Sequence, residues 1–230
     1  MPPLRYRYQT LEIGALDVHV RTLRDTQQFA DPDAVAAALG ISSASWPLFG
    51  VIWPSGLTLA HLMASYDLRG RRVLEIGCGV GLASLVLSLR GGDISATDHH
   101  PEGGRMLGEN VNLNGGAPIP FVRAGWDDLD TGLDRFDLLI ASDVLYEPAH
   151  VFSLTAFIER HARDRCEVVV VDPGRGQRAG FRRQMLRHGY VHSECDDARV
   201  DYPAVKADGR IARFVREVRH PPGDVATTNP

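Results

Sequence analysis

The chain contains few cysteines and almost no lysine. Its 3 cysteines, Cys78, Cys166 and Cys195, are odd in number, widely spaced and without a CxxC pair. This pattern indicates neither a disulfide framework nor a zinc site. Lys206 is the only lysine, and the formal net charge is -4. The sequence therefore lacks the basic footprint of a nucleic-acid-binding protein, and we expect no nucleic-acid partner.

Apolar runs of membrane-spanning length are also missing by inspection. The first eight residues have no apolar core of the kind that marks a signal peptide. We therefore expect a cytoplasmic protein with no membrane partner. With 230 residues, 44% hydrophobic and 23% charged, the chain is long enough for one large α/β domain.

One stretch, residues 72–82, combines a short apolar run, an acid and three alternating glycines. It predicts a buried strand, a tight turn at Gly77, Gly79 and Gly81, and a helix that continues to Leu89. Glycine permits positive φ and lets a ligand approach the backbone closely. Because ligands of open α/β sheets bind outside the carboxyl ends of the strands, this turn is a candidate ligand site.

The spacing of these glycines and the acid before them favour a cationic ligand over a pyrophosphate. A dinucleotide fingerprint, GxGxxG, requires glycine where the chain has Leu82. The carboxylate of Glu75 would repel a pyrophosphate and attract a cation. Asp98 ends the next predicted strand, where an acid can accept hydrogen bonds from both ribose hydroxyls. An NAD(P)-dependent oxidoreductase stays the remote alternative, because the same strand, turn and acid would serve it.

Aromatic side chains precede and follow this core. Trp53 stands just before a predicted helix at 57–66, where its face can border a cationic ligand. Trp126 follows a predicted strand at 119–122 and can stack on a purine, while Asp127 can accept from an exocyclic amine. For Trp46 and Phe49, burial in the core is as compatible with the sequence as ligand contact.

A second cluster follows the predicted strand at 136–141. It places an acid, a phenol and another acid, Asp143, Tyr146 and Glu147, at the carboxyl end of the strand next to the glycine turn. Chemistry in doubly wound folds takes place at that edge. By contrast, the neighbours His99 and His100 have no acid or cysteine partner at a recognised spacing, so we expect a solvated loop there and no metal.

The remaining chain alternates strands and helices, which predicts a Rossmann-like, doubly wound α/β sheet. Alternating side chains at 6–13 and 16–23 predict an N-terminal β-hairpin that covers or extends the substrate side, followed by a short helix within 31–40. Further helices are expected at 103–114, 149–163 and 177–188, and strands at 167–171, 190–195 and 210–218. We expect an extension at 1–45, the main domain at 46–218 and a disordered tail at 219–230.

Several spaced motifs together resemble the class I, seven-β-strand S-adenosylmethionine-dependent methyltransferases, and more narrowly methyltransferase family 16, whose members include protein lysine methyltransferases. The motifs are residues 52–56 (IWPSG), 75–81 (EIGCGVG), 96–98 (ATD), 125–127 (GWD) and 142–146 (SDVLY). The resemblance implies a seven-stranded sheet, mostly parallel with one antiparallel strand. It also implies a cofactor pocket, with Asp98 on the ribose, lined by Trp53, Glu75, Gly77, Cys78, Gly79, Asp98, Trp126 and Ser142.

The same resemblance assigns Asp143 to Tyr146 as the D-x-x-Y motif of the methyl-transfer site. S-adenosylmethionine carries a sulfonium and no phosphate, so it suits Glu75 and makes the third dinucleotide glycine unnecessary. Methyl transfer needs the nucleophile, the methyl carbon and the sulfur held in line and dry, and a strong base is not required. Asp143 or Glu147 would then orient the acceptor amine while Tyr146 walls the channel.

We therefore predict a methyltransferase that converts S-adenosylmethionine to S-adenosylhomocysteine, acting on a lysine of another protein. A small-molecule N- or O-methyltransferase is the alternative, because loops on the same fold decide the acceptor. A non-catalytic adenosyl-binding module is a further alternative. The segment 172–175 and the N-terminal hairpin do not match eukaryotic lysine-specific members, so the sequence leaves the acceptor open.

Overall fold

Two sheets organise the computed structural model, which describes residues 3–174, 176–195 and 210–217. The first is an antiparallel hairpin of β1 (Tyr6–Ile13) and β2 (Leu16–Leu23), as predicted. The second has seven strands: β3 (Arg72–Ile76), β4 (Asp93–Asp98), β5 (Phe121–Arg123), β6 (Phe136–Ser142), β7 (Ala162–Asp172), β8 (Val191–Cys195) and β9 (Arg210–Arg216). The expected tail at 219–230 lies outside the described residues.

The large sheet has the strand order β5-β4-β3-β6-β7-β9-β8. Strand β9 is antiparallel to both β7 and β8, and the other neighbouring pairs are parallel. This confirms the predicted mostly parallel sheet with one antiparallel strand. The chain order reverses between β3 and β6, so the carboxyl ends of these two strands open the crevice where ligands of such sheets bind.

In the described ranges, six α-helices connect the strands: α1 (Val35–Ala38), α2 (Pro54–Ser65), α3 (Leu82–Leu89), α4 (Gly103–Leu113), α5 (His150–His161) and α6 (Arg178–Arg187). The short helix α1 is confirmed within its predicted range, because the carboxylate of Asp31 accepts hydrogen bonds from the backbone N–H groups of Ala36 and Ala37, at 3.0 and 2.9 Å. The pKa of the Asp31 carboxyl is lowered, since these backbone hydrogen bonds outweigh the opposing effect of burial.

The boundary between α5 and β7 differs from the prediction. The helix stops at His161, two residues earlier than expected, and β7 begins at Ala162 instead of residue 167. Ala162 adopts extended backbone angles and pairs with Phe136, after which the register between β6 and β7 shifts. Pairing with a neighbouring strand therefore overrides the local helical pattern at this point.

The 3-10 helix Trp46–Gly50 and helix α2 together form an apolar stretch that the sequence inspection underestimated. The 20-residue stretch Trp46–Ser65 contains an 18-residue window with a mean hydropathy of 1.3, enough by length and composition to cross a membrane. Half of the stretch is buried inside the protein, including Trp46, Leu59 and Met63. Core helices pass the same test, so the composition alone does not assign a membrane role.

The core lies in two layers, one on each face of the large sheet. Alternate residues of β3 serve the two layers: Val73 packs in one, and Leu74 and Ile76 pack in the other. The first layer contains α2, α3, α4 and the hairpin, and the second contains α5 and α6. The apolar side chains of β2 are buried against α3 and α4, and that the hairpin covers or extends the substrate side stays a prediction.

Candidate active site

The glycine turn after β3 has the strained backbone that its sequence predicts. Gly77, Gly79 and Gly81 have φ angles of 66°, 55° and 77°. A Cβ added to Gly79 would lie 3.0 Å from the carbonyl oxygen of Phe49, and one added to Gly81 would lie 2.3 Å from Cδ1 of Leu107. Both the backbone angles and the lack of space therefore require glycine here.

Glu75 lies beneath this turn and is only 3% exposed. Its Oε2 atom accepts a hydrogen bond from the backbone N–H of Ser84 at 2.9 Å and another from the Ser84 hydroxyl. Burial raises the pKa of Glu75 to about 7, although the two hydrogen bonds from Ser84 oppose the shift. The carboxylate thus satisfies a donor in the first turn of α3, a structural role that the sequence did not predict.

Asp98 joins the end of β4 to the glycine turn. Its Oδ2 atom accepts from the backbone N–H of Gly79, and its Oδ1 atom accepts from the backbone N–H of His100, both at 2.8 Å. Burial raises the pKa of Asp98 despite these hydrogen bonds. The side chain remains partly exposed, and its position beside the turn is compatible with the ribose role predicted for it.

Cys78 is buried inside the turn, where its backbone N–H donates to the carbonyl oxygen of Thr97 at 3.0 Å. Burial raises the pKa of its thiol well above the usual value, so the sulfur stays protonated and unreactive near neutral pH. Its place in the turn fits a small residue that lines the crevice.

The aromatic residues ahead of α2 divide between the core and the crevice. Trp46 and Phe49 are buried, which favours the core interpretation for both. Trp53 is half-buried, and its Nε1 donates to the carbonyl oxygen of Leu48 at 3.0 Å. This hydrogen bond fixes the indole at the start of α2, the position in which cofactor contact was predicted.

The expectation of a solvated histidine loop is wrong for His100. This side chain is 4% exposed and stacks on Phe49 with ring centroids 3.8 Å apart. Trp46 meets the same imidazole edge-on at 5.2 Å. Burial lowers the pKa of His100 to about 4, so the ring is neutral and belongs to an aromatic cluster. His99 is exposed, as expected, and its Nε2 lies 3.1 Å from the carbonyl oxygen of Leu39.

The loop after β6 meets the glycine turn. A Cβ on Gly77 would approach Cγ1 of Val144 to 3.1 Å, and one on Gly56 would lie 3.5 Å from Oγ of Ser142. Between Ser142 and Val144, Asp143 adopts a φ of 55°, a left-handed conformation that is uncommon outside glycine. The backbone N–H of Asp143 donates to the carbonyl oxygen of Val171 at 2.9 Å, which holds this strained residue in place.

His150, at the start of α5, connects the two predicted halves of the site and was missed by the sequence reasoning. Its ring meets Trp126 at 4.9 Å and Tyr146 at 4.4 Å, both edge-on. Its Nε2 lies 3.6 Å from Oε2 of Glu147. The spacing of Tyr146 and His150, four residues apart just before a helix, is the one sequence signal that could have found it.

The loop that carries Trp126 and Asp127 is braced from both sides. Arg160 on α5 donates to the carbonyl oxygen of Trp126 at 2.5 Å, and Oδ2 of Asp128 accepts from the backbone N–H of Gly125 at 2.7 Å. Trp126 is half-buried and Asp127 is exposed. The structure thus holds the indole firmly at this edge of the sheet, whereas the predicted contact of Asp127 with an adenine amine stays a prediction.

The carboxyl edge of the sheet therefore gathers the glycine turn, Asp98, Ser142 and Asp143, with aromatic residues on either side. Within the described part of the chain, no group of three or more histidine, cysteine, aspartate or glutamate side chains is arranged to hold a metal ion. Such an edge, with backbone exposed at the glycines and carboxylates around it, is suited to a nucleoside-type ligand without phosphates.

Comparison with known sequences gives a family match over the middle of the chain. Residues 45–180 match the profile of the family described as lysine methyltransferase. The Electron transfer flavoprotein beta subunit lysine methyltransferase of Danio rerio is 28% identical over 156 residues, which cover 66% of this chain and 60% of that protein. The Histidine protein methyltransferase 1 homolog of Dictyostelium discoideum is 34% identical over 117 residues, covering 48% and 38% of the two chains. The chain thus spans about three fifths or less of these relatives.

Solved structures show the same fold at low identity. The magnesium protoporphyrin IX methyltransferase of Synechocystis, crystallised with bound SAM, superposes with a TM-score of 0.54 at 21% identity and covers 71% of this chain and 78% of its own. At this identity the likeness establishes the sheet and helix arrangement alone.

Proposed function

The chain belongs to the lysine methyltransferase family, and from that premise we propose that it transfers a methyl group from S-adenosylmethionine to a lysine side chain of a protein substrate. The observation that carries this proposal is the meeting of the glycine turn with the loop of Asp143 at one sheet edge, inside the matched residues. A methyl donor and an acceptor need such adjacent positions, because the transfer is an in-line displacement.

The crevice fits the donor by its shape and by its charge. Gly77, Gly79 and Gly81 hold the turn in positive-φ conformations, and a turn without side chains lets a ligand approach its backbone closely. In the proposed arrangement Asp98 accepts from the ribose hydroxyls, and Trp126 and Asp127 bind the adenine. In the same arrangement the half-buried indole of Trp53 borders the sulfonium, and the buried carboxylate of Glu75 adds negative charge beneath the turn. The remaining predicted lining residues are Gly77, Cys78, Gly81 and Ser142.

S-adenosylmethionine, when bound, supplies a methyl group on a positively charged sulfur, and S-adenosylhomocysteine is the product. The chain's own residues orient the acceptor and exclude water. A lysine amine must arrive without its extra proton, because only the neutral nitrogen has a lone pair to form the new bond. We propose that Asp143 orients this amine and that Tyr146 lines the channel through which the amine enters. The ring of His150 packs edge-on against Tyr146.

Histidine in a protein is a second candidate acceptor. The relative from Dictyostelium discoideum is named for histidine methylation and is more similar over its matched stretch than the Danio rerio relative. An imidazole nitrogen is neutral at physiological pH and would need no loss of a proton before the transfer. The same donor crevice would serve either acceptor, and the small-molecule alternative also uses it.

The test supplies purified protein with methyl-tritiated S-adenosylmethionine and a cell extract. We expect label in protein bands, and after acid hydrolysis we expect methylated lysine, resolved from methylated histidine by chromatography. The Asp143→Asn variant is the matched control, which removes one charge and keeps the side-chain shape. Label in small molecules alone would overturn the protein substrate. Cofactor binding without any transfer would indicate a non-catalytic adenosyl-binding module.

Two further expectations from the sequence stay proposals. We propose that residues 46–218 form the catalytic domain with 1–45 as its extension, and that the protein works in the cytoplasm. Limited proteolysis tests the first, because a stable fragment should retain the main sheet. Fractionation of the source cells tests the second, and recovery of the protein with membranes would contradict it.

A further inference from the structure

Asn110 on α4 is completely buried and forms hydrogen bonds to two separate parts of the chain. Its Oδ1 accepts from the backbone N–H of Arg21 on β2 at 2.7 Å, and its Nδ2 donates to the Arg21 carbonyl at 3.2 Å. The same Nδ2 donates to the carbonyl oxygen of Val80 at 2.9 Å. A buried amide with its donors and acceptor satisfied fixes the relative position of its partners.

Val80 lies inside the glycine turn, between Gly79 and Gly81. Two positive-φ glycines flank it, and glycine restricts the backbone less than any other residue. The turn therefore depends on outside contacts for a defined shape. Asp98 holds it at the backbone N–H of Gly79, and Asn110 holds it at the carbonyl of Val80.

Asn114, one helical turn further along α4, makes the same kind of contact with the hairpin. Its Oδ1 accepts from the backbone N–H of His19 at 2.9 Å, and its Nδ2 donates to the His19 carbonyl at 2.7 Å. Two asparagine side chains thus bind the backbone of β2 as a neighbouring strand would. The second donor contact of Asn114 goes to the carbonyl of Asn110 within α4, whereas that of Asn110 goes to the glycine turn.

We propose that Asn110 is a positioning residue through which the docked N-terminal hairpin supports cofactor binding. The hairpin fixes Asn110 from one side, and Asn110 fixes the Val80 carbonyl on the other. The hairpin then belongs functionally to the donor half of the site. This inference rests on the proposed function, because it assumes that the glycine turn holds the adenosyl cofactor.

The test measures binding of S-adenosylhomocysteine to the purified full chain by isothermal titration calorimetry. Loss of a buried hydrogen bond that shapes the turn should weaken binding about tenfold in Asn110→Ala. Asn114→Ala is the matched control, since it removes the equivalent contact with the β2 backbone, at His19, and leaves the Val80 contact in place. We expect its affinity to stay within about twofold of the wild type, although both variants should unfold at lower temperature.

Unchanged affinity in a folded Asn110→Ala would overturn the inference. An equal loss in both variants would also overturn it, because the contact with Val80 would then have no separate effect. Failure of the wild type to bind S-adenosylhomocysteine would instead refute the proposed cofactor, and the inference would fall with it.

Should Asn110→Ala not fold, hydrogen exchange of the wild-type protein tests the same link. The amide of Arg21, which donates to Asn110, lies in β2 and outside the glycine turn. We expect S-adenosylhomocysteine to slow exchange in the peptide that contains Arg21, because a ligand on the turn stabilises Asn110. Unaltered exchange at Arg21, with slower exchange at residues 77–81, would contradict the coupling.

Discussion

Glu75 and Ser84 bind each other across the glycine turn: one carboxylate oxygen accepts from both the backbone N–H and the hydroxyl of the serine. The pair joins the end of β3 to the first turn of α3, so the turn is fixed at its two ends. Because the carboxylate is buried and its pKa is raised to about 7, its charge changes near neutral pH. Stability and donor binding should therefore both respond to this one proton.

We first predict a pH dependence of stability that disappears in Glu75→Gln. The folded pKa of about 7 lies above the usual value of 4.5, so the folded state holds an extra proton between these values. The free energy of unfolding of the ligand-free wild type, relative to the variant, should thus fall as pH rises from 4.5 to about 7. Urea unfolding across this range measures it. Glu12→Gln, on the exposed part of β1, serves as control. If the difference in unfolding free energy between the wild type and Glu75→Gln did not change with pH, the raised pKa of Glu75 would be contradicted.

The second prediction concerns His100 and has the opposite sign. Burial holds its pKa at about 4, below the usual 6.5, so between these pH values the unfolded state binds a proton that the folded state does not. The stability that this neutral ring contributes is present above pH 6.5 and is lost as pH falls toward 4. Between pH 7.5 and pH 5, His100→Phe should lose about 2 kcal/mol less stability than the wild type.

The neighbour His99 gives a matched control for that measurement, because it is exposed and follows the same strand. We expect His99→Phe to keep the acid sensitivity of the wild type. Chemical denaturation at the two pH values measures both variants. Equal acid sensitivity in His100→Phe and the wild type would show that the buried ring does not titrate in this way.

The third prediction separates the two carboxylates beside the acceptor channel. Asp143→Asn should lower kcat/KM for methyl transfer about 100-fold, because a misoriented acceptor loses in-line geometry. Its affinity for S-adenosylhomocysteine and its unfolding temperature should stay near those of the wild type, since asparagine also tolerates positive φ. Glu147→Gln, which is exposed, should have a smaller effect. A larger loss of kcat/KM in Glu147→Gln than in Asp143→Asn would instead assign the orienting role to Glu147.

The fourth prediction compares a buried arginine with an exposed one. Arg216 is 1% exposed and donates to both carboxylate oxygens of Glu159, at 2.8 and 3.0 Å, while its guanidinium lies over the ring of Tyr190. Arg216→Ala removes the cation from a buried pair and should lower the free energy of unfolding by about 3–5 kcal/mol. The pair of Arg165 with Glu217 is exposed, so Arg165→Ala should lower the free energy of unfolding by less than about 1 kcal/mol. Similar losses in urea unfolding would contradict this ranking.

The sequence predicted those parts of the fold and site that depend on short stretches of chain. The glycines at 77, 79 and 81 are required by local backbone angles, and the strand that precedes them is a short, mostly apolar stretch. The seven-stranded, mostly parallel sheet with one antiparallel strand followed from the family resemblance and was confirmed, and the structure shows that the antiparallel strand is β9. Asp98 and Asp143 were found because each ends a predicted strand at the ligand edge of the sheet.

The parts that the sequence did not predict depend on residues far apart in the chain. His100 was expected in solvent because its neighbours are polar, but Trp46 and Phe49 enclose it. The start of β7 was placed too late because pairing of Ala162 with Phe136 is invisible in a local pattern. Asn110 gave no signal, since its partners lie on a hairpin and in a turn that the sequence does not place beside it.

The left-handed backbone of Asp143 has a consequence for the history of such a domain. Aspartate and asparagine both tolerate this φ, and glycine adopts it most readily. A substitution that abolishes methyl transfer here would therefore leave the fold intact or slightly more stable. Gene duplication could then retain an inactive copy as a binding protein, so related sequences with glycine or asparagine at this position would be candidate pseudoenzymes.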